Sequence, residues 1–221
     1  MTRLNKSQFY FSFILSSLFL IGCLNTSKAN LNEITISGQI INPLLDIIKF
    51  ESADSTFTAK LTKEGNFTFS FTSDTSLYLS LSHGEYTSMY VMPGDIIELS
   101  LNTEEFDESI NYNGSNASNF LAKKYLIQEE FNFNSKDFYL GSTEEYNLAL
   151  SDYKSSIFQY GNSILDTVFI NQQSNEIDNI ISYWRNRKEK FMISNEADIR
   201  EYLFEKSLVD KKYNWWTIED T

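Results

Sequence analysis

The chain has 221 residues, 42% of them hydrophobic and 15% aromatic, which marks a globular sequence long enough for two small domains. Lys and Arg total 18 against 30 Asp and Glu, a net charge of −12, and a surface of that sign repels phosphate backbones and excludes the usual electrostatic route to nucleic acid. One cysteine and one histidine exclude dithiol exchange, which needs an attacking and a resolving thiol, and argue against a transition-metal site.

At the N-terminus Arg3 and Lys6 form a short basic region without acids. The run QFYFSFILSSLFLIG follows, apolar over about fourteen residues, with the small Gly22 before Cys23, which is the layout of a secretory signal peptide. A membrane-spanning helix wants about 20 apolar residues, and Ser12, Ser16 and Ser17 dilute this run further. Leu20-Ile21-Gly22-Cys23 resembles a bacterial lipobox. That resemblance implies a diacylglycerol on the Cys23 sulfur, cleavage before Cys23 and acylation of the new amino group. Several chains, at about 0.8 kcal/mol per buried CH₂, hold a protein to a membrane where one does not. The alternative is an ordinary signal peptide with an incidental cysteine. Leu24 rather than Asp beside the cysteine argues, by the same resemblance, for the outer membrane of a Gram-negative cell, facing periplasm or surface. Removing residues 1–22 takes away Arg3 and Lys6 and no acid, so 16 basic residues face 30 acidic ones and the net charge becomes −14. No basic patch then remains for lipid, and Cys23 is the expected membrane attachment. Residues 23–32 read as a polar tether.

From Glu33 to about Leu101 the apolar period is two. Ile34 and Ile36 alternate with Thr35 and Ser37. The same holds for Phe57, Ala59 and Leu61, for Phe67, Phe69 and Phe71, for Leu77, Leu79 and Leu81, and for Ile97, Leu99 and Leu101. Turn signals separate the runs at Asn42-Pro43, Lys63-Glu64-Gly65-Asn66, His83-Gly84 and Met92-Pro93-Gly94-Asp95. This spacing predicts an antiparallel β-sandwich of about seven strands, with a further short strand near Ser109–Tyr112 returning to its edge.

After Asn113-Gly114 the period becomes helical. Ala117, Phe120, Ile127 and Phe131 form one stripe, broken by Lys124. Ser142-Thr143-Glu144-Glu145 is a capping box, opening a helix predicted to carry Tyr146, Ala149, Tyr153, Ile157, Tyr160 and Ile164. Another is predicted from about Asn175, with Ile177, Ile180, Ile181, Trp184 and Phe191 inside. A last one opens at Asn195 and Asp198 with Ile199, Tyr202 and Leu203. Strands first and helices after predict an α+β protein with about four amphipathic helices. The expected divisions are a signal peptide (1–22), a tether (23–32), a β-sandwich domain (33–114) and a helical region (115–221).

The lipobox, then LTKEGNFTFSF, then MYVMPGDIIELSLNTEEFDESINYNGSNASNFLAKK together resemble the N-terminal half of Bacteroidetes lipoproteins of the TlpA-like thiol-disulfide oxidoreductase family. In that family a small β-sandwich of the DUF4369 type and a helical stretch precede a thioredoxin domain with a Trp-Cys-x-x-Cys motif. Here the sequence reads Asn214–Thr221 where that domain would begin, and no such motif is present. The resemblance therefore implies a location and an architecture and withholds the redox activity.

Among candidate sites, His83 before Gly84 reads as a hairpin end. The acidic run Thr103–Glu108 lacks the alternating spacing and glycine of a calcium loop and reads as a solvated linker. Tyr78, Tyr86, Tyr90, Trp215 and Trp216 are candidates for a binding surface for sugars or peptides, or else they fill the seam between sandwich and helices. No Gly-x-Ser-x-Gly elbow and no Gly-rich phosphate loop occurs. Asp54-Ser55-Thr56 and Asp166-Thr167-Val168 resemble a short O-glycosylation signal of Bacteroidetes. The sequence thus predicts a lipid-anchored, non-catalytic binding or scaffolding module without cofactor, metal or nucleic acid. It is expected either to stand alone or to be a truncated oxidoreductase. An envelope protein is the expected partner, met through the helical face Tyr146–Ile164 or the Trp215-Trp216 end. A surface lipoprotein that binds glycans or peptides through exposed aromatics is the competing reading.

Overall fold

Period-two alternation lays down eight strands: β1 (Glu33–Ile41), β2 (Ile47–Glu51), β3 (Thr56–Lys60), β4 (Asn66–Thr72), β5 (Leu77–His83), β6 (Glu85–Val91), β7 (Ile96–Asn102) and β8 (Asn111–Asn113). The computed structural model describes residues 31–204 and 206, apart from 134, 165, 196, 198 and 203. Cys23, Trp215 and Trp216, with the expected signal peptide (1–22) and most of the expected tether (23–32), lie outside the described residues. The predicted turns close as expected. Gly65 and Gly94 take φ of 79° and 86°, a conformation that a Cβ makes costly.

The strands form two sheets, ordered β4-β1-β7-β8 and β3-β2-β5-β6. All pairs are antiparallel except β1 with β7. This one departure from the expected pairing has a topological cause. After β1 and before β7 the chain builds the whole second sheet and β4, a connection long enough to bring β7 back parallel to β1. Between the sheets Ile34, Ile36, Ile48, Phe50, Leu79, Leu81, Met89, Val91, Ile97, Leu99 and Leu101 are each at most 1% exposed. Of the β4 phenylalanines only Phe67 is fully inside. Phe69 and Phe71 are partly buried and stack with Phe57 where β3 meets β4, the Phe57 and Phe71 centroids 4.4 Å apart.

The α-helices whose bounds are described are α1 (Phe106–Ser109), between β7 and β8, then α2 (Asn116–Phe131), α3 (Lys136–Leu140), α4 (Thr143–Phe158) and α5 (Thr167–Ser194). The capping box forms as predicted, the Ser142 hydroxyl accepting from the Glu145 N–H at 3.2 Å and the Glu145 carboxylate from the Ser142 N–H at 3.0 Å. Two boundaries differ from the sequence reading. Helix α4 stops at Phe158 rather than continuing to Ile164, because Gly161 and Asn162 favour the 3₁₀ turn that follows. Helix α5 starts at Thr167 rather than near Asn175, its first turn capped by the Asp166 carboxylate. The lengthened α5 packs on α4, so Tyr146, Leu150, Tyr153 and Ile157 are at most 3% exposed. That stripe is core, not the contact surface expected. Of the last predicted helix, Asp198 and Leu203 lie outside the described residues, while the Ile199 N–H bonds the Asn195 carbonyl and Ile199 is buried. Among the described residues no helix is long and apolar enough to cross a membrane.

Candidate binding surfaces

The helical layer lies against one end of the β5–β6 face, and aromatic side chains make that seam. The Tyr90 ring on β6 meets Tyr78 on β5 at 4.9 Å and Phe169 on α5 at 4.7 Å, and Phe120 on α2 meets Phe169 at 5.7 Å. Polar groups lock the contact. The Tyr90 hydroxyl donates to Asp166 at 2.7 Å, and that bond is the chief reason why the Asp166 carboxyl sits below its ordinary value. Burial pushes the Tyr90 phenol up to about 12. On the strand's open edge the Ser118 hydroxyl accepts from the Tyr90 N–H at 3.0 Å and lies 2.9 Å from the Tyr90 carbonyl. Helix α2 thereby satisfies an edge that would otherwise be free to pair with another chain. Deeper in, the Lys124 ammonium donates to Gln173 at 2.7 Å and Glu176 at 2.9 Å, and the Gln173 amide donates to the Tyr78 hydroxyl at 3.2 Å.

Tyr90 is therefore no exposed platform. It is 4% exposed, whereas Tyr78 is 41% and Tyr86 80% exposed. The structure separates the expected set: Tyr90 lies in the seam and Tyr86 lies in solvent farther along the same strand. Tyr86 keeps company with Tyr125 on α2, whose phenol is pushed up chiefly by its hydrogen bond with Glu129. Nearby, burial and then Glu85, Glu129 and Glu108 raise the Asp107 carboxyl. The acidic run itself is structured rather than a loose linker. Asn102 caps the Glu104 N–H at 3.3 Å, and Thr103 and Phe106 are buried beneath exposed carboxylates. Among the described residues no group of three or more His, Cys, Asp or Glu is arranged to hold a metal ion. Asp166-Thr167-Val168, read as a modification signal, is the N-cap of α5, with Thr167 exposed; Asp54-Ser55-Thr56 is exposed between β2 and β3.

His83 ends β5 at a one-residue hairpin, as expected, but it is also fully buried. Its Nε2 accepts from the Leu44 N–H at 3.0 Å and its Nδ1 lies 2.8 Å from the Ile47 carbonyl, so the ring is neutral with the proton on Nδ1. Both nitrogens hold the β1–β2 connection. Sequence reasoning missed this because nothing local distinguishes a buried histidine beside a glycine from an exposed one.

Among the open concavities of the described residues, two of about 420 Å³ lie away from the seam. One lies between α4 and α5 against Tyr146, Asn147, Arg185, Lys188 and Met192. The Lys188 amine turns away from it to the Tyr139 and Gly141 carbonyls, and burial holds that amine below the usual lysine value. The other is a recess in the outer face of the β4-β1-β7-β8 sheet. Two complete rows cross it from strand to strand: Asn66, Gln39, Ser100 and Asn111, then Thr68, Ser37, Glu98 and Asn113. Between them Gly38 lets β1 and β7 approach closely, since a Cβ there would lie 2.1 Å from the Leu99 carbonyl oxygen.

Compared with protein-family models, curated proteins and solved structures, the chain matches none.

Proposed function

We propose that this chain is a non-catalytic binding module of a bacterial cell envelope, tethered to the outer membrane by an acylated Cys23. The observation that carries the non-catalytic reading is the state of His83. The one histidine of the chain is sealed in the sandwich with both ring nitrogens on backbone groups. Other groups able to move protons are likewise held as struts: at the seam Asp166 caps α5 and Lys124 bridges α2 to α5, and away from it Lys188 binds two carbonyls. Disulfide exchange is closed to residues 24–221, which contain no cysteine. The lipobox resemblance supports the tether, and the TlpA-like resemblance supports an envelope setting with an envelope protein as partner. Against the competing reading, in which exposed aromatics bind glycans, stands the burial of Tyr90; Tyr86 alone of the β6 pair stays open.

Mass spectrometry of the mature N-terminus tests the tether. A chain starting at an acylated Cys23, released from membranes by Cys23→Ala, is the expected result. An unmodified thiol, or a start elsewhere, refutes it. Insulin reduction with dithiothreitol tests the chemistry, and turnover above the blank refutes the non-catalytic reading.

A further inference from the structure

We propose that the outer face of the β4-β1-β7-β8 sheet binds a neutral glycan, laid across the four strands in the recess over Gly38. The proposal rests on the binding-module reading and supplies its ligand class. The argument begins with which side chains point out of this sheet. At the recess they are amides and hydroxyls, with Glu98 the one ionised group, in a chain where 22% of residues are charged and acids greatly outnumber bases. The outer face of the other sheet is different: it carries the Lys49–Glu51 ion pair at 2.6 Å, and its far end lies under the helices.

A face without cations lacks the charge that favours a phosphate or a uronate, and one carboxylate supplies little of the charge that a divalent-cation site needs. What it offers is a dense array of groups that both donate and accept. Asn66 and Asn111 supply amide N–H and C=O, Gln39, whose amide N–H donates to the Glu64 carbonyl at 3.1 Å, supplies its C=O, and Ser100 supplies a hydroxyl. Sugar hydroxyls have the same dual character, so matched pairs form without burying a charge. Glu98 is positioned as an acceptor, with the Asn113 amide 3.3 Å from it. Asn66, Ser100 and Asn111 make no side-chain hydrogen bond to any other described residue, so they are available to a ligand and removing them breaks nothing inside the protein. Four strands at a spacing of about 4.8 Å make each row about 14 Å long, a length that suits an oligosaccharide rather than a single sugar. Phe67 is the one aromatic residue among those lining the recess, and its ring is buried in the sandwich rather than presented to stack on a sugar. The contact therefore rests on hydrogen bonds and is weak, with Kd on the order of 0.1–1 mM.

The experiment is affinity electrophoresis of the full chain through gels cast with xylan, mixed-linkage glucan, galactomannan or polygalacturonate. At least one neutral polysaccharide is expected to retard the protein, equally at low and high salt, and polygalacturonate is not. Asn66→Ala/Asn111→Ala should abolish retardation while leaving the thermal midpoint within a degree or two, and Tyr86→Ala should leave retardation unchanged. Saturation-transfer NMR with the matching hexasaccharide at millimolar concentration should lose its signal in the same double variant. No retardation by any neutral polysaccharide overturns the proposal, as does retardation that survives the double variant or is lost with Tyr86. The sugars are also checked for new reducing ends after a day with the protein. Their appearance would overturn the non-catalytic reading and leave the glycan site standing, so the two ideas fail separately.

Discussion

Tyr146 and Tyr153 lie on the same face of α4, both with rings packed inside the helical layer and both at most 3% exposed, yet removal of their hydroxyls should move stability in opposite directions. The Tyr146 hydroxyl donates to the Trp184 carbonyl at 2.9 Å. The Tyr153 hydroxyl is buried with no hydrogen-bond partner among the described residues, and burial pushes its phenol up to about 12. Tyr146→Phe removes a buried hydrogen bond, for a net loss of about 0.5–1.5 kcal/mol. Tyr153→Phe removes a hydroxyl whose desolvation in folding costs about 1–3 kcal/mol on protein scales and gives nothing back. The ring itself stays, keeping its edge-on contacts to Phe131 and Phe133 at 5.5 and 5.2 Å. A small void where the oxygen stood takes back a few tenths of a kcal/mol in lost dispersion contacts. The expected net effect is a gain of about 1 kcal/mol, or roughly 2–4 °C in Tm for a chain of this size. Urea unfolding of wild type and both variants should place the two on opposite sides of the parent, about 2 kcal/mol apart, with equal m values. Equal losses in the two variants would refute the reasoning, because they would mean that the Tyr153 hydroxyl has a partner after all.

Asp166→Ala should cost about 1 kcal/mol for the lost α5 cap, measured by thermal unfolding at neutral pH. The folded carboxyl is depressed by Tyr90, so its stabilisation is present above the unfolded carboxylate value near pH 4 and is lost as pH falls through the lower folded value. The stability gap between wild type and Tyr90→Phe should therefore narrow below about pH 4; a gap constant down to pH 2 would refute the link. His83→Ala should cost about 2–4 kcal/mol, since it opens a buried cavity and strands the Leu44 N–H and Ile47 carbonyl; a loss under 1 kcal/mol in urea unfolding would show the ring to be dispensable. The segment 32–114, expressed alone, should fold cooperatively because its core is nearly all its own. It should also self-associate in sedimentation, because the β6 edge has lost Ser118.

Most strands were legible because each wets one face and buries the other, and that difference is written into alternate residues. Where both faces are covered the signal disappears. Along β6 the consecutive residues Met89, Tyr90 and Val91 are all buried, the first and third by the sandwich and Tyr90 by the helices, so no alternation marks its end. The helices show the same logic with polar residues. Lys124 interrupts the α2 stripe, and Gln173 occupies an interior position of α5, 2% exposed, between Phe169 and Ile177. Both put a polar side chain at an interior position, and Gln173 lies just before Asn175, from which the apolar pattern predicts α5. They are in fact each other's partners, the ammonium on the amide oxygen. A one-dimensional reading sees two interruptions where the folded chain has one hydrogen bond.

The surfaces were harder to read than the elements, and the reason bears on function. Aromatic content pointed to Tyr78, Tyr86 and Tyr90 as a platform, but aromatic rings are also what best fill a seam between layers. In this fold the seam claims Tyr90, its partner ring Tyr78 and the outer face around them. The β3-β2-β5-β6 sheet thus has one side in the sandwich and part of the other under helices. The β4-β1-β7-β8 sheet presents its outer side without a helix in either polar row. Its exposed apolar side chains, Ile41 and Ile96, stand singly at opposite ends of the face, so the polar rows between them do not call for a protein layer on hydrophobic grounds. It carries instead two rows of groups that donate and accept, flanking a glycine at which β1 and β7 approach closely. Serine, threonine and asparagine on alternate strand positions read in a sequence as plain solvated residues. Only the register, which sets Gln39 beside both Asn66 and Ser100, turns them into a continuous polar surface. What the fold leaves open is therefore shaped for a ligand that is polar, uncharged and extended.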